Sequence, residues 1–169
     1  MRRRLTLLVT AVAVAATACI TAPSPDTPVR PIVQVDPTDL QARRFGNTAS
    51  DVLTNPALES KIRALFGADW ALTPGARVRA PASSFFASAD PPRTVRSREA
   101  EYVAVTGCGG AGCRLQRVLL LIRGDGEHLL ARLDEGGFGH YYSYGPGATM
   151  TPATRALLDG ARDAVDQPA

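Results

Sequence analysis

Residues 117–123 place Val118, Leu119, Leu120, Leu121 and Ile122 in unbroken succession between Arg117 and Arg123. Successive side chains of a strand point to opposite faces of a sheet. An apolar run with no alternation therefore belongs to a central strand that is covered on both faces. The neighbouring sequence supplies partners. Upstream, Tyr102, Ala104 and Thr106 alternate against Val103 and Val105, which is strand periodicity, and Thr94-Val95-Arg96-Ser97 leads into this segment. Downstream, Gly124-Asp125-Gly126 signals a hairpin turn, and residues 127–133 return as the next strand. Asp134-Glu135-Gly136-Gly137 turns again, and residues 138–144 form a further strand.

Helices at either side provide the cover. Asn55 as a cap, Pro56 in the first turn and Glu59 after it open one, with Leu58, Ile62, Leu65 and Phe66 on a single face and Gly67 as its C-cap. A weaker helix is expected from Thr38 to Phe45. Thr151-Pro152-Ala153 opens the last helix, with Ala156, Leu157, Ala161 and Val165 inward. The order predicts an α+β fold, an antiparallel β-sheet meander with helices packed on it.

The chain begins with Arg2, Arg3 and Arg4, an uncharged stretch from Leu5 to Ala18, and then Cys19. This is the layout of a secretory signal, and the stretch is short for a membrane span. Ala16-Thr17-Ala18-Cys19 resembles a bacterial lipobox, with Ala16 where leucine is usual. That resemblance implies cleavage before Cys19 and a diacylglyceryl (palmitate-type) lipid on its sulfur; the alternative is ordinary cleavage beside an incidental cysteine. Pro23, Pro25, Pro28, Pro31 and Pro37 then describe an extended spacer. The expected organisation is a signal peptide at 1–18, a lipid-anchored Pro-rich tether at 19–36, one domain at 37–165 and a C-terminal tail at 166–169. The expected location is the bacterial cell envelope, facing the periplasm, at the outer membrane because Ile20 is not an acidic retention residue.

Of the 169 residues, 19 are Lys or Arg and 16 are Asp or Glu. Losing residues 1–18 removes three arginines and no acid, so the mature chain is formally neutral. The basic pI is thus no footprint of nucleic-acid binding. No catalytic constellation is expected: Ser83 and Ser84 lack a nucleophile-elbow context, and His128 and His140 lack metal-ligand spacing. No cofactor is expected either. His140, Tyr142 and Tyr144 share one strand face, read as core before sugar-stacking surface. Phe85 and Phe86 are read as core. Arg93, Arg96 and Arg98 are read as a solvated strand edge, with an acidic partner surface as the alternative.

Cys108 and Cys113 bracket Gly109, Gly110, Ala111 and Gly112 where two strands meet. In an exported chain whose third cysteine, Cys19, is lipidated, these two pair by default. The ring closes a hairpin tip; other readings are a purely structural bridge, redox chemistry or a zinc site. The segment from Tyr102 to Val118, with its tyrosine-bearing strand, C-x4-C loop, Gln116-Arg117 pair and apolar strand, resembles the central segment of the inhibitor of vertebrate lysozyme (Ivy) family. Asp69-Trp70 after a helix resembles that family's tryptophan.

The resemblance implies an Ivy-like fold and an envelope protein that inhibits c-type lysozyme, without a cofactor, by inserting the loop into the enzyme's cleft. In the family a loop histidine engages the catalytic acids. This chain has Ala111 at that position, Gly112 in place of aspartate, and Gly109 and Gly110 in place of lysine and proline. Only backbone amides or Arg114 remain to engage a carboxylate. The expected binding loop is Gly107, Cys108, Gly109, Gly110, Ala111, Gly112, Cys113 and Arg114. The alternative is an envelope lipoprotein of the same fold that binds another peptidoglycan hydrolase or a glycan; a homodimer is compatible with either.

Overall fold

The computed structural model describes residues 33–36 and 40–166. The signal peptide, Cys19, most of the tether, Thr38 and residues 167–169 lie outside the described residues. The described chain forms seven strands: β1 (Gln34–Asp36), β2 (Ser88–Ala89), β3 (Arg93–Arg96), β4 (Glu101–Cys108), β5 (Gln116–Arg123), β6 (Leu129–Glu135) and β7 (Phe138–Tyr144). Three α-helices accompany them: α1 (Ala49–Leu53), α2 (Glu59–Phe66) and α3 (Pro152–Val165). Short 3₁₀ turns lie at Leu40–Arg43, Gly67–Trp70 and Ala82–Phe86.

All pairings are antiparallel, in the order β1-β3-β4-β5-β6-β7, and β2 also pairs with β4. The apolar run of β5 is central, and Val118, Leu119, Leu120, Leu121 and Ile122 are all buried. Each such side chain contributes about 1.5–3 kcal/mol on removal from water. The β6–β7 turn is the pair Gly136 and Gly137, both at positive φ (59° and 90°), the geometry of a tight two-residue hairpin. Pro91 and Pro92 carry no amide hydrogen and separate β2 from β3 along the same side of β4.

The two sheet faces hold different cores. One packs Val103, Val105, Val118, Leu120, Ile122, Leu129, Ala131 and Leu133 against α1, α2 and the Phe85–Phe86 turn. The other packs Val95, Ala104, Leu119 and Leu121 against Leu158, Ala161 and Val165 of α3. Charged contacts hold α3 in place. Arg132 Nη1 bonds Asp159 at 2.6 Å, Arg162 Nε lies 2.9 Å from Asp134, and Arg117 pairs with Asp166 just beyond the helix.

Several expectations are corrected. Gln34–Asp36, read as tether, is a strand, so the sheet begins before Pro37. Because β1 covers β3, the Arg93–Arg96 segment is no edge: Arg96 pairs with Glu101 and Asp36, and Arg93 donates to the Val165 carbonyl. The regular helix begins at Glu59, four residues after the expected cap, but Asn55 still caps the turn that leads into it: its Oδ1 accepts from the Ala57 amide and its carbonyl from the Glu59 amide. The weak helix expected before Phe45 is the short Leu40–Arg43 turn, and the first true helix is α1, opened by a Thr48–Asp51 capping box. The strand expected from Glu127 starts at Leu129, because the Arg123 amide closes on the His128 carbonyl. In α3, Leu158 is the buried leucine, while Ala156 and Leu157 are only half-buried.

Candidate functional site

The Cys108–Cys113 pair is bonded and closes the β4–β5 connection, with Cα atoms 4.7 Å apart. Gly110, Ala111, Gly112, Cys113, Arg114 and Leu115 are exposed, whereas Gly107 and Gly109 are buried. Gln116 accounts for part of this shape. Its Oε1 accepts from the Ala111 amide at 3.1 Å, and its side chain occupies the space a Cβ on Gly109 would need, with that oxygen 2.5 Å from the Cβ position. Inside the ring the Gly112 amide donates to the Gly109 carbonyl at 2.9 Å, and the Gln116 amide to the Gly112 carbonyl at 2.9 Å. The loop is therefore held by a covalent bridge, by backbone turns and by one side-chain clamp.

What it presents outward is almost purely backbone. Among the described residues the amides of Gly110, Cys113 and Arg114 donate to no acceptor, and the Arg114 guanidinium has no partner. Such donors suit an anionic acceptor, because hydrogen bonds to a charged group are shorter and stronger than neutral ones. Three neighbours with little or no side chain make the tip thin. Expected loop residues 107–114 are thus brought together, but they divide into a buried footing at Gly107 and Gly109 and an exposed tip from Gly110 to Arg114.

In the sequence Gln116 stands out only as half of a Gln-Arg pair. Its clamp is invisible there, because nothing local marks which amide a glutamine will accept from. The other half, Arg117, turns away to Asp166 and does not join the tip.

Asp69 is a second feature that spacing does not reveal. It is 2% exposed, and its carboxylate accepts from the Arg77 amide at 2.5 Å, the Tyr142 hydroxyl at 2.9 Å and the Arg77 guanidinium at 2.9 Å. Burial alone pushes its pKa up, but these donors outweigh it and hold the carboxyl below its ordinary value. Burial and the adjacent carboxylate push the Tyr142 hydroxyl well up. Tyr142 also packs against Phe66, which stands beside Trp70 and Phe86. This cluster ties the 67–77 segment to β7 and is architectural. Of the stripe His140, Tyr142 and Tyr144, only Tyr142 is fully buried.

A groove of about 670 Å³ lies at the opposite end of the sheet from the disulfide. Tyr102, Tyr144 and Leu157 line it together with Arg98, Arg123 and His128. It exists because α3 packs closely through its C-terminal half and leaves Ala156 and Leu157 facing open space. Among the described residues no group of three or more His, Cys, Asp or Glu side chains is placed to hold a metal ion, and no helix is long and apolar enough to cross a membrane. Against protein-family models, curated proteins and solved structures, the chain finds no match.

Proposed function

We propose that this domain is an Ivy-like inhibitor that inserts its disulfide-closed tip into the cleft of a peptidoglycan-cleaving glycosidase, c-type lysozyme first among them. It acts from the bacterial envelope, carried on a lipid at Cys19 and facing the periplasm, at the outer membrane. The observation that carries the reading is the tip itself: a thin, bridged loop whose exposed amides at Gly110, Cys113 and Arg114 have no protein acceptor among the described residues, with an unpaired guanidinium beside it.

Glycoside hydrolysis uses two carboxyl groups that flank the scissile bond. Donors held at that pair occupy the position of the substrate and block it with no covalent step. In this chain the donors are the amides of Gly110, Cys113 and Arg114, with the Arg114 guanidinium supplying the charge that Ala111 lacks. The bridge and the Gln116 clamp order the loop before binding, which lowers the entropy cost of docking.

Arg114→Ala tests this directly. Removing the only charged donor at the tip raises the inhibition constant at least about tenfold, the scale of one charge-assisted hydrogen bond. The melting temperature stays unchanged, because the side chain has no partner within the described chain. Titration of cell-wall hydrolysis by lysozyme reads the effect, and equal potency of variant and parent overturns the mechanism.

A further inference from the structure

The described chain begins beside the groove at the end of the sheet far from the disulfide. β1 and β3 run antiparallel, and their ladder opens with Gln34 opposite Arg96. The residue after Arg96 is Ser97, which lines the groove with Arg98 and Glu99. The chain leading into Gln34 therefore arrives at the groove's edge, and on the matching face of the sheet. Val33 and Val35 pack on the same core cluster as Tyr102, the cluster that α3 covers. Tyr102 and Leu157 of α3 line the groove itself. Residues 28–32, Pro-Val-Arg-Pro-Ile, are the five that precede Val33.

Composition, reach and charge fit this place. All of residues 28–32 except Arg30 are apolar, and Pro31 has no amide hydrogen with which to extend the β1–β3 ladder. Proline-rich segments suit aromatic-lined grooves, because their extended form is set before binding and little entropy is lost. At about 3.1 Å per residue, five residues reach about 15 Å. The groove runs from Tyr102 on β4 to Tyr144 on β7, three inter-strand steps or about 14 Å. Of its charged groups, Arg123 pairs with Asp125 at 3.3 Å, and His128 Nδ1 lies 3.8 Å from the same carboxylate. The Glu99 carboxylate and the Arg98 guanidinium are exposed and have no partner among the described residues. Arg30 supplies a partner for Glu99 and leaves Arg98 in water. An exposed pair of this kind adds little affinity and serves to fix register.

We propose that residues 28–32 dock in the groove between the sheet and the N-terminal half of α3, with Val29 and the two prolines against Tyr102 and Leu157 and with Arg30 facing Glu99. One peptide bond joins the segment to Val33. Docking is therefore intramolecular, at an effective concentration of about a millimolar or more, and a weak contact is enough to populate it. Tyr102 and Cys108 stand near the two ends of β4. On the reading proposed above, docking holds the anchored end of the domain opposite the disulfide loop, and the tip faces away from the membrane. The orientation rests on that reading; the docking does not.

The test uses the chain from residue 19 to residue 169 with Cys19→Ser, so that no lipid is attached. Backbone relaxation by NMR reads Val29, Arg30 and Ile32, which carry amide hydrogens. In the parent their order parameters stand near about 0.85, the value of rigid backbone, and Val29→Asp brings them below about 0.6. Glu99→Arg shifts them in the same direction, and combining it with Arg30→Glu restores them. Values below about 0.6 in the parent overturn the proposal and leave the groove to a separate ligand. Order that survives both Val29→Asp and Glu99→Arg overturns it as well, because something other than the groove then holds the segment. Lysozyme titration of the same samples keeps the two readings apart. A mobile segment with inhibition intact removes the docking alone, and an ordered segment without inhibition removes the function alone.

Discussion

Replacing Asp69 with alanine is expected to lower the unfolding free energy by about 3 kcal/mol, the scale of stranding a buried hydroxyl and removing a charged acceptor. The Tyr142 hydroxyl then sits in the core without an acceptor, and the Arg77 amide loses its bond. The Arg77 guanidinium contributes less, because it is 58% exposed and water replaces its partner. The effect depends on pH with a definite sign. Asp69 ionises more readily in the folded chain than in the unfolded one. Its contribution is therefore present in full above the unfolded value and is lost as pH falls through the folded value. Chemical denaturation of parent and variant at pH 7 and at about pH 3, just below the ordinary carboxyl value, checks this. The gap between them narrows at the lower pH; a gap that widens on acidification contradicts the assignment.

Gly107→Val is expected to cost about 3 kcal/mol, the upper part of the range for overfilling a close-packed site. A Cβ at Gly107 would lie 2.5 Å from the Phe85 carbonyl oxygen and 3.1 Å from the Phe86 Cα. Both atoms are backbone, so no side chain can swing aside. The 3₁₀ turn that carries two core phenylalanines has to move, and the loop footing moves with it. Gly110 sits three residues away, with nothing within 4 Å of its Cβ position and no positive φ. Gly110→Ala therefore changes stability by less than about 0.5 kcal/mol. Thermal melts of the two variants separate a glycine required by close approach from one that leaves the tip slim. Similar melts for both would contradict this division of the loop.

The strands from β4 to β7 were legible because each carries its own signal. The unbroken run of β5 announces burial on both faces, and glycine pairs mark the turns between neighbours. β1 and β2 carry no such signal. They are three and two residues long, and they are strands only because β3 and β4 lie beside them, a pairing across distant sequence. The inward face of α3 differs from the one its periodicity predicts by one leucine, for a similar reason. Helical periodicity gives a face, but the tilt that buries Leu158 and frees Leu157 is set by the sheet. At the candidate site the pairing of Cys108 with Cys113, expected once Cys19 is set aside, is the bridge that forms, and the small residues between them make a slim tip. The Gln116 clamp and the Asp69 network arise from contacts between segments distant in the sequence or across the loop. No local pattern encodes them.

The central claim is that the bridged tip blocks a glycosidase cleft, and one titration tests it most directly. Hydrolysis of purified cell walls by c-type lysozyme is measured against increasing protein, first with Cys108 and Cys113 oxidised and then after reduction. The account predicts stoichiometric inhibition by the oxidised form and a large loss of potency on reduction, because the opened loop must then be ordered on binding. Full lysozyme activity at every concentration of the oxidised protein would contradict it.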